Sequence, residues 1–119
     1  MILVKLHQLN IFKLETKMNK LLNLAEILRS KNAGPFYITF DIMFKNKKFF
    51  EKIKNAKILN NRLISDLYQI DEKDVRIIYY DIVNAVKITI KRKYASGDIN
   101  DTDVYGAQQQ SLLENIQIP

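Results

Sequence analysis

The stretch Phe36-Tyr37-Ile38-Thr39-Phe40-Asp41-Ile42-Met43-Phe44 constrains the fold of this chain more than any other. Phe36, Ile38, Phe40, Ile42 and Phe44 fall on one side of an extended backbone, and Tyr37, Thr39, Asp41 and Met43 fall on the other. Successive side chains of a strand point to opposite faces, so this alternation predicts a strand with one buried face. Large apolar groups gain about 1.5–3 kcal/mol each on full burial, which makes this strand the expected centre of the core. A length of 119 residues suffices for one such core and not for two.

The elements around that strand follow from spacing and turn chemistry. Leu21, Leu22, Leu24, Ala25, Ile27 and Leu28 recur at helical intervals, with Asn19 placed to cap and Gly34-Pro35 beyond the end. A strand is left open for part of that region. Asn46 is placed to cap a helix to about Asn55 that buries Phe49, Phe50 and Ile53, and Asn60 a second to about Gln69 with Leu63, Ile64, Leu67 and Tyr68. Asp71 to Asp74 read as a polar turn. Val75–Tyr80 and Ala85–Lys91 read as strands joined by a tight Asp81–Asn84 connection, and a long irregular stretch from Tyr94 to about Ser111 precedes a last strand, Leu113 to Ile118. The order predicts an α+β domain, a two-layer sandwich with helices on one face of a mainly antiparallel sheet.

Residues 1–17 stand apart. Their apolar residues are interrupted by Lys5, His7, Gln8 and Asn10, and no small-residue cleavage site follows, so they do not read as a signal peptide. They read either as an amphipathic extension carrying Leu3, Leu6, Leu9 and Leu14, or as an artefact of a start at Met18, the reading preferred here. The domain proper is then expected over residues 18–119.

Several chemistries are excluded by composition. The chain has no cysteine and one histidine, His7, which removes thiolate zinc sites, iron–sulfur ligation, a cysteine nucleophile and multi-histidine metal centres. No apolar run is long enough for a membrane span. A cytoplasmic setting in a bacterium or archaeon is the expectation, with no cofactor and no metal. The net charge is +6, yet fifteen of the nineteen basic residues are lysine, and without residues 1–17 the charge is +4. A solvated basic surface is therefore expected over a nucleic-acid interface.

Two segments carry polar groups that a core does not need. The first is Ser30-Lys31-Asn32-Ala33-Gly34-Pro35-Phe36, and the second runs from Gly97 through Asp101-Thr102-Asp103-Val104-Tyr105-Gly106-Ala107-Gln108-Gln109; between them they hold every glycine in the chain. They are expected to converge at one end of the domain. Lys31, with backbone N–H groups near Gly34, would suit an anion, though Asn32 and Gly34 also read simply as the stop of a helix. Asp98, Asp101 and Asp103 miss the calcium-loop pattern, because Thr102 holds its fifth position and Gln109 its twelfth. Asp41 and Lys87 would form a structural ion pair or an acid–base couple if their strands meet face to face. Ser30 and Lys31 are adjacent and make no dyad on a helix.

Taken together, Ser30–Phe36 with Thr39 and Asp41, Ala85–Ile90, Gly97, Asp101–Gln109 and Leu112-Leu113 resemble a family of small proteins known as a domain of unknown function. Its members usually accompany, or are fused to, proteins of the acyclic terpene utilisation A type. The resemblance runs from Met18 to Pro119. A weaker similarity, to the C-terminal domain of those larger proteins, implies a ferredoxin-like fold without any cluster. Where family members carry Arg-Pro after the strand and His after the paired glutamines, this chain has Lys91-Arg92-Lys93 and Gln110. The resemblance implies an accessory or regulatory subunit of a metabolic enzyme system, partnering an acyclic terpene utilisation A-like protein acting on an acyl-CoA or organic acid. Lys31 and Asn32 would bind an anionic group, and Asp101, Asp103 and Gln108 would complete the pocket or touch the partner. Ser30, Gly34, Asp41, Lys87, Tyr105, Gly106 and Gln109 complete the candidate set. The rivals are a self-contained enzyme using Lys31 with Asp41 or Asp103, and a nucleic-acid module stacking bases on Tyr37, Tyr79 or Tyr94. Self-association is left open.

Overall fold

The computed structural model describes residues 19–92 and 110–119. The alternating segment forms the strand β3, Tyr37–Phe44, with Ile38, Phe40, Ile42 and Phe44 buried. Phe36 is 54% exposed, which corrects its expected place in the core: it lies in the turn before the strand, outside the alternation. β3 is paired on both edges. β2 (Ala25–Asn32) lies on one side and β5 (Ala85–Lys91) on the other, with β4 (Val75–Tyr80) beyond β5, in the antiparallel order β2-β3-β5-β4.

The expected helix over the leucine-rich segment is confined to a single turn, α1 (Leu21–Leu24), preceded by β1 (Asn19–Lys20) and followed at once by β2. Leu21, Leu24 and Ala25 are buried at helical spacing, while the rest of the segment pairs with the edge of β3 from Ala25↔Phe44 to Asn32↔Ile38 across one bulge. An apolar run of this kind satisfies either period, and pairing with a central strand outweighs local helix propensity. The β2–β3 hairpin closes through the bond from Ala33 N–H to the Tyr37 carbonyl (2.9 Å). Gly34 takes φ 84° in this turn, a left-handed conformation that other residues adopt only under strain.

After β3 come α2 (Lys47–Ala56) and α3 (Asn61–Tyr68). Both start on the asparagines expected to cap them: Phe49 N–H donates to Asn46 Oδ1 (2.9 Å) and Leu63 N–H to Asn60 Oδ1 (2.8 Å). Phe50 of α2 packs against Phe44 and Tyr79, with ring centroids 6.1 and 6.2 Å apart, and Tyr68 of α3 against Phe40 at 5.2 Å. The Tyr79 hydroxyl donates to the Leu59 carbonyl at 3.0 Å. Both helices therefore sit on the Phe40 side of the sheet. The expected last strand is also shortened. α4 (Ser111–Glu114) buries Leu113 and leads to β6 (Gln117–Ile118), which pairs with β1.

The arrangement is a mixed α+β domain built on an antiparallel sheet. Its connectivity among the described residues is hairpin, two helices, hairpin, whereas a ferredoxin-like chain runs β-α-β-β-α-β. The difference arises between β2 and β3, which a tight turn joins where a ferredoxin-like chain has a helix. Among the described residues no helix is long and apolar enough to cross a membrane.

The caps are unequal. Asn60 Nδ2 also donates to the Lys57 carbonyl (3.0 Å), so its side chain closes the connection between the helices as well as starting α3. Asn60→Ala should cost about 1–2 kcal/mol and Asn46→Ala about 1 kcal/mol or less, read from urea unfolding midpoints. Burial pushes the Tyr68 and Tyr79 phenols above their ordinary value of 10.0. The unfolded chain then ionises first, so their stabilising contribution is complete below about pH 10 and is lost as the pH rises through the higher folded values. Unfolding midpoints should decline above that pH, and Tyr68→Phe should flatten the decline.

Candidate functional site

At the turn end of the β2–β3 hairpin, Ser30 and Asn32 face the same side as Phe40. Ser30 lies opposite Phe40 and Asn32 opposite Ile38. Polar side chains among such neighbours need hydrogen-bond partners. The Ser30 hydroxyl donates to Gln110 Oε1 at 2.8 Å, and Arg92 Nη1 donates to Asn32 Oδ1. The Arg92 backbone N–H adds a bond to the Phe36 carbonyl (2.7 Å). Ser30 and Arg92 are both almost fully enclosed, at 8% and 9% exposure. Arg92 and Gln110, which border residues 93–109 in sequence, are both fastened to the same strand. Asp101, Asp103, Tyr105, Gly106, Gln108 and Gln109, with Tyr94, lie outside the described residues.

Lys31 and Asn32 belong to β2 rather than to a turn. Strand alternation sends Lys31 to the opposite face from its two neighbours. That face is turned away from the helices and reads in rows across the sheet. Lys31, Thr39, Thr89 and Arg76 form one row, and Arg29, Asp41, Lys87 and Ile78 form the next. Asp41 and Lys87 are thus direct cross-strand neighbours. The ion pair formed at this point is Arg29 Nε to Asp41 Oδ2, at 3.5 Å, with Arg29 64% exposed. Such a solvent-facing pair contributes little to stability. It borders an open groove of about 260 Å³ lined by Arg29, Asp41, Met43, Tyr80, Ala85 and Lys87. Thr39 is buried at 6% exposure, and its Oγ1 has no hydrogen-bond partner among the described residues.

Of the tyrosines considered as stacking platforms, Tyr37 is exposed, but Tyr79 is held on the helix side by Phe50 and Leu59. Its neighbour Tyr80 is the exposed one, at the edge of the groove. Beyond it, the Asp81–Val83 turn leaves Ile82 98% and Val83 52% exposed. Asp81 pairs with Lys54 of α2 at 2.7 Å, a solvent-facing contact between the turn and that helix. Sequence reasoning missed Arg29 and the Ser30–Gln110 bond. Period-two reading of residues 25–32 would have put Arg29 and Lys31 on one face, but nothing local to Gln110 signals a partner eighty positions earlier. Among the described residues no group of three His, Cys, Asp or Glu side chains is placed to hold a metal ion.

The Ser30–Gln110 bond can be weighed directly. Ser30→Ala and Gln110→Ala should each destabilise by about 0.5–1.5 kcal/mol, and the double variant by clearly less than their sum, in a urea double-mutant cycle.

No curated protein and no solved structure matches this chain. A family model described as Domain of unknown function (DUF4387) matches residues 21–117, from α1 to β6 and across both flanks of the late segment. The chain is therefore a member of the DUF4387 family.

Proposed function

We propose that this domain is a small accessory or regulatory subunit, partnering an acyclic terpene utilisation A-like large protein that acts on an acyl-CoA or organic acid. The observation that carries the reading is the turn between β4 and β5. Turn tips are ordinarily polar. Here Tyr80, Ile82 and Val83 are exposed within four positions, and Ile82 at 98% touches almost nothing of its own chain. The Lys54–Asp81 pair links this apolar tip to α2 by a solvent-facing contact. Aromatic and aliphatic anchors grouped in this way suit a protein interface. The choice of partner rests on the family resemblance, and in this reading the helices and sheet form a two-layer sandwich whose helix side is occupied by its own core. Arg92 and Gln110 lie at the other end of the sheet from this tip, and in this reading Asp101, Asp103 and Gln108 complete the pocket or touch the partner.

Co-expression with an acyclic terpene utilisation A-like protein of the same organism, followed by size-exclusion chromatography, tests the reading. The two chains should co-elute, and Ile82→Asp should weaken association at least about tenfold while leaving the circular-dichroism spectrum of the isolated domain unchanged. Elution of the wild-type chain alone overturns the proposal.

A further inference from the structure

We propose that the sheet face turned away from the helices carries an oxyanion site at its turn end, in which the Lys31 ammonium and the hydroxyls of Thr39 and Thr89 hold a phosphate or carboxylate group. The register places Lys31 of β2 directly opposite Thr39 of β3, Thr39 opposite Thr89 of β5, and Thr89 opposite Arg76 of β4. Side chains paired in this way across antiparallel strands stand about 4.5–5.5 Å apart at Cβ, close enough to converge on one small ligand. Lysine and arginine can only donate hydrogen bonds, and each threonine hydroxyl can donate one. The row therefore offers donors from end to end, which is the pattern an oxyanion requires.

Thr39 supplies the second and independent observation. It is 6% exposed, and its Oγ1 has no hydrogen-bond partner among the described residues. Such a hydroxyl destabilises the fold unless something else engages it, and valine would fill the same volume without that cost. It sits between a cation and a second hydroxyl. Lys31 is exposed, and a long lysine side chain moves within nanoseconds, so the row can open to admit an ion.

The surrounding charge has the matching sign. Lys91, opposite Tyr37, lies in the next row towards the turn, and Arg29 and Lys87 lie in the row behind. Asp41 is the carboxylate of that rear row, and Arg29 already engages it. An ion at Thr39 therefore meets cations on several sides and one neutralised acid. The site is a property of the isolated domain and does not depend on the accessory-subunit reading.

The experiment is an NMR titration of the isotopically labelled chain with inorganic phosphate and, separately, with sodium acetate at constant ionic strength. Saturable shifts centred on Lys31, Thr39 and Thr89 are expected. Lys31→Ala and Thr39→Val should each weaken binding about tenfold or more, whereas Lys48→Ala on α2 should leave it unchanged. Thr39→Val should also melt no lower than the wild type, because it removes an unengaged hydroxyl. Saturation by phosphate alone assigns the site to phosphate, and saturation by both assigns it to oxyanions in general. Absence of saturable binding by either, or unchanged affinity in Thr39→Val, overturns the proposal.

Discussion

The pairing of β3 with strands on both sides is the constraint from which the rest of the structure follows. Every second side chain of β3 is large and apolar, so its helix-side face must be covered, and the covering comes from α2 and α3 through Phe50 and Tyr68. Its backbone groups must also be satisfied along both edges. β5 does this on one side. On the other, the chain just after α1 gives up helical structure to supply β2. The conversion of that segment to strand is a demand of the sheet, not a preference of its residues.

Strand geometry then sorts the polar residues near the turn. Because Ser30, Lys31 and Asn32 are consecutive in β2, they separate by face: Ser30 and Asn32 face inward, where Gln110 and Arg92 engage them, and Lys31 faces outward beside Thr39. A short polar segment thereby serves two ends, fastening a distant part of the chain and placing a cation on the opposite face of the sheet.

Much of the architecture was legible in the residues. The alternation of β3 from Tyr37 on, the Asn46 and Asn60 caps, and the β4–β5 hairpin all depend on neighbours within a few positions, and each appears as read; Phe36 alone falls outside its expected place. Residues 21–32 were not legible in the same way, since their apolar spacing fits a helix and a strand alike and only the edge of β3 decides between them. Leu113, Ile116 and Ile118 are buried as a set, but they divide between a helical turn and a short strand that pairs with β1, nearly a hundred positions away in sequence. The site was harder still. Arg29 engages Asp41, where Lys87 had been considered, because a flexible guanidinium reaches across from the neighbouring strand, and no spacing rule distinguishes two cations that flank one carboxylate in the same row.

The antiparallel order β2-β3-β5-β4 also has a consequence in time. Each hairpin can close on its own tight turn, a matter of microseconds, whereas the β3–β5 seam joins residues as distant as Tyr37 and Lys91, with both helices and β4 in between. Closing that loop is entropically costly before any of its contacts form. The seam is thus the natural bottleneck on the way to the native state, and until it closes, the inner edges of both hairpins stand open to strands of other chains.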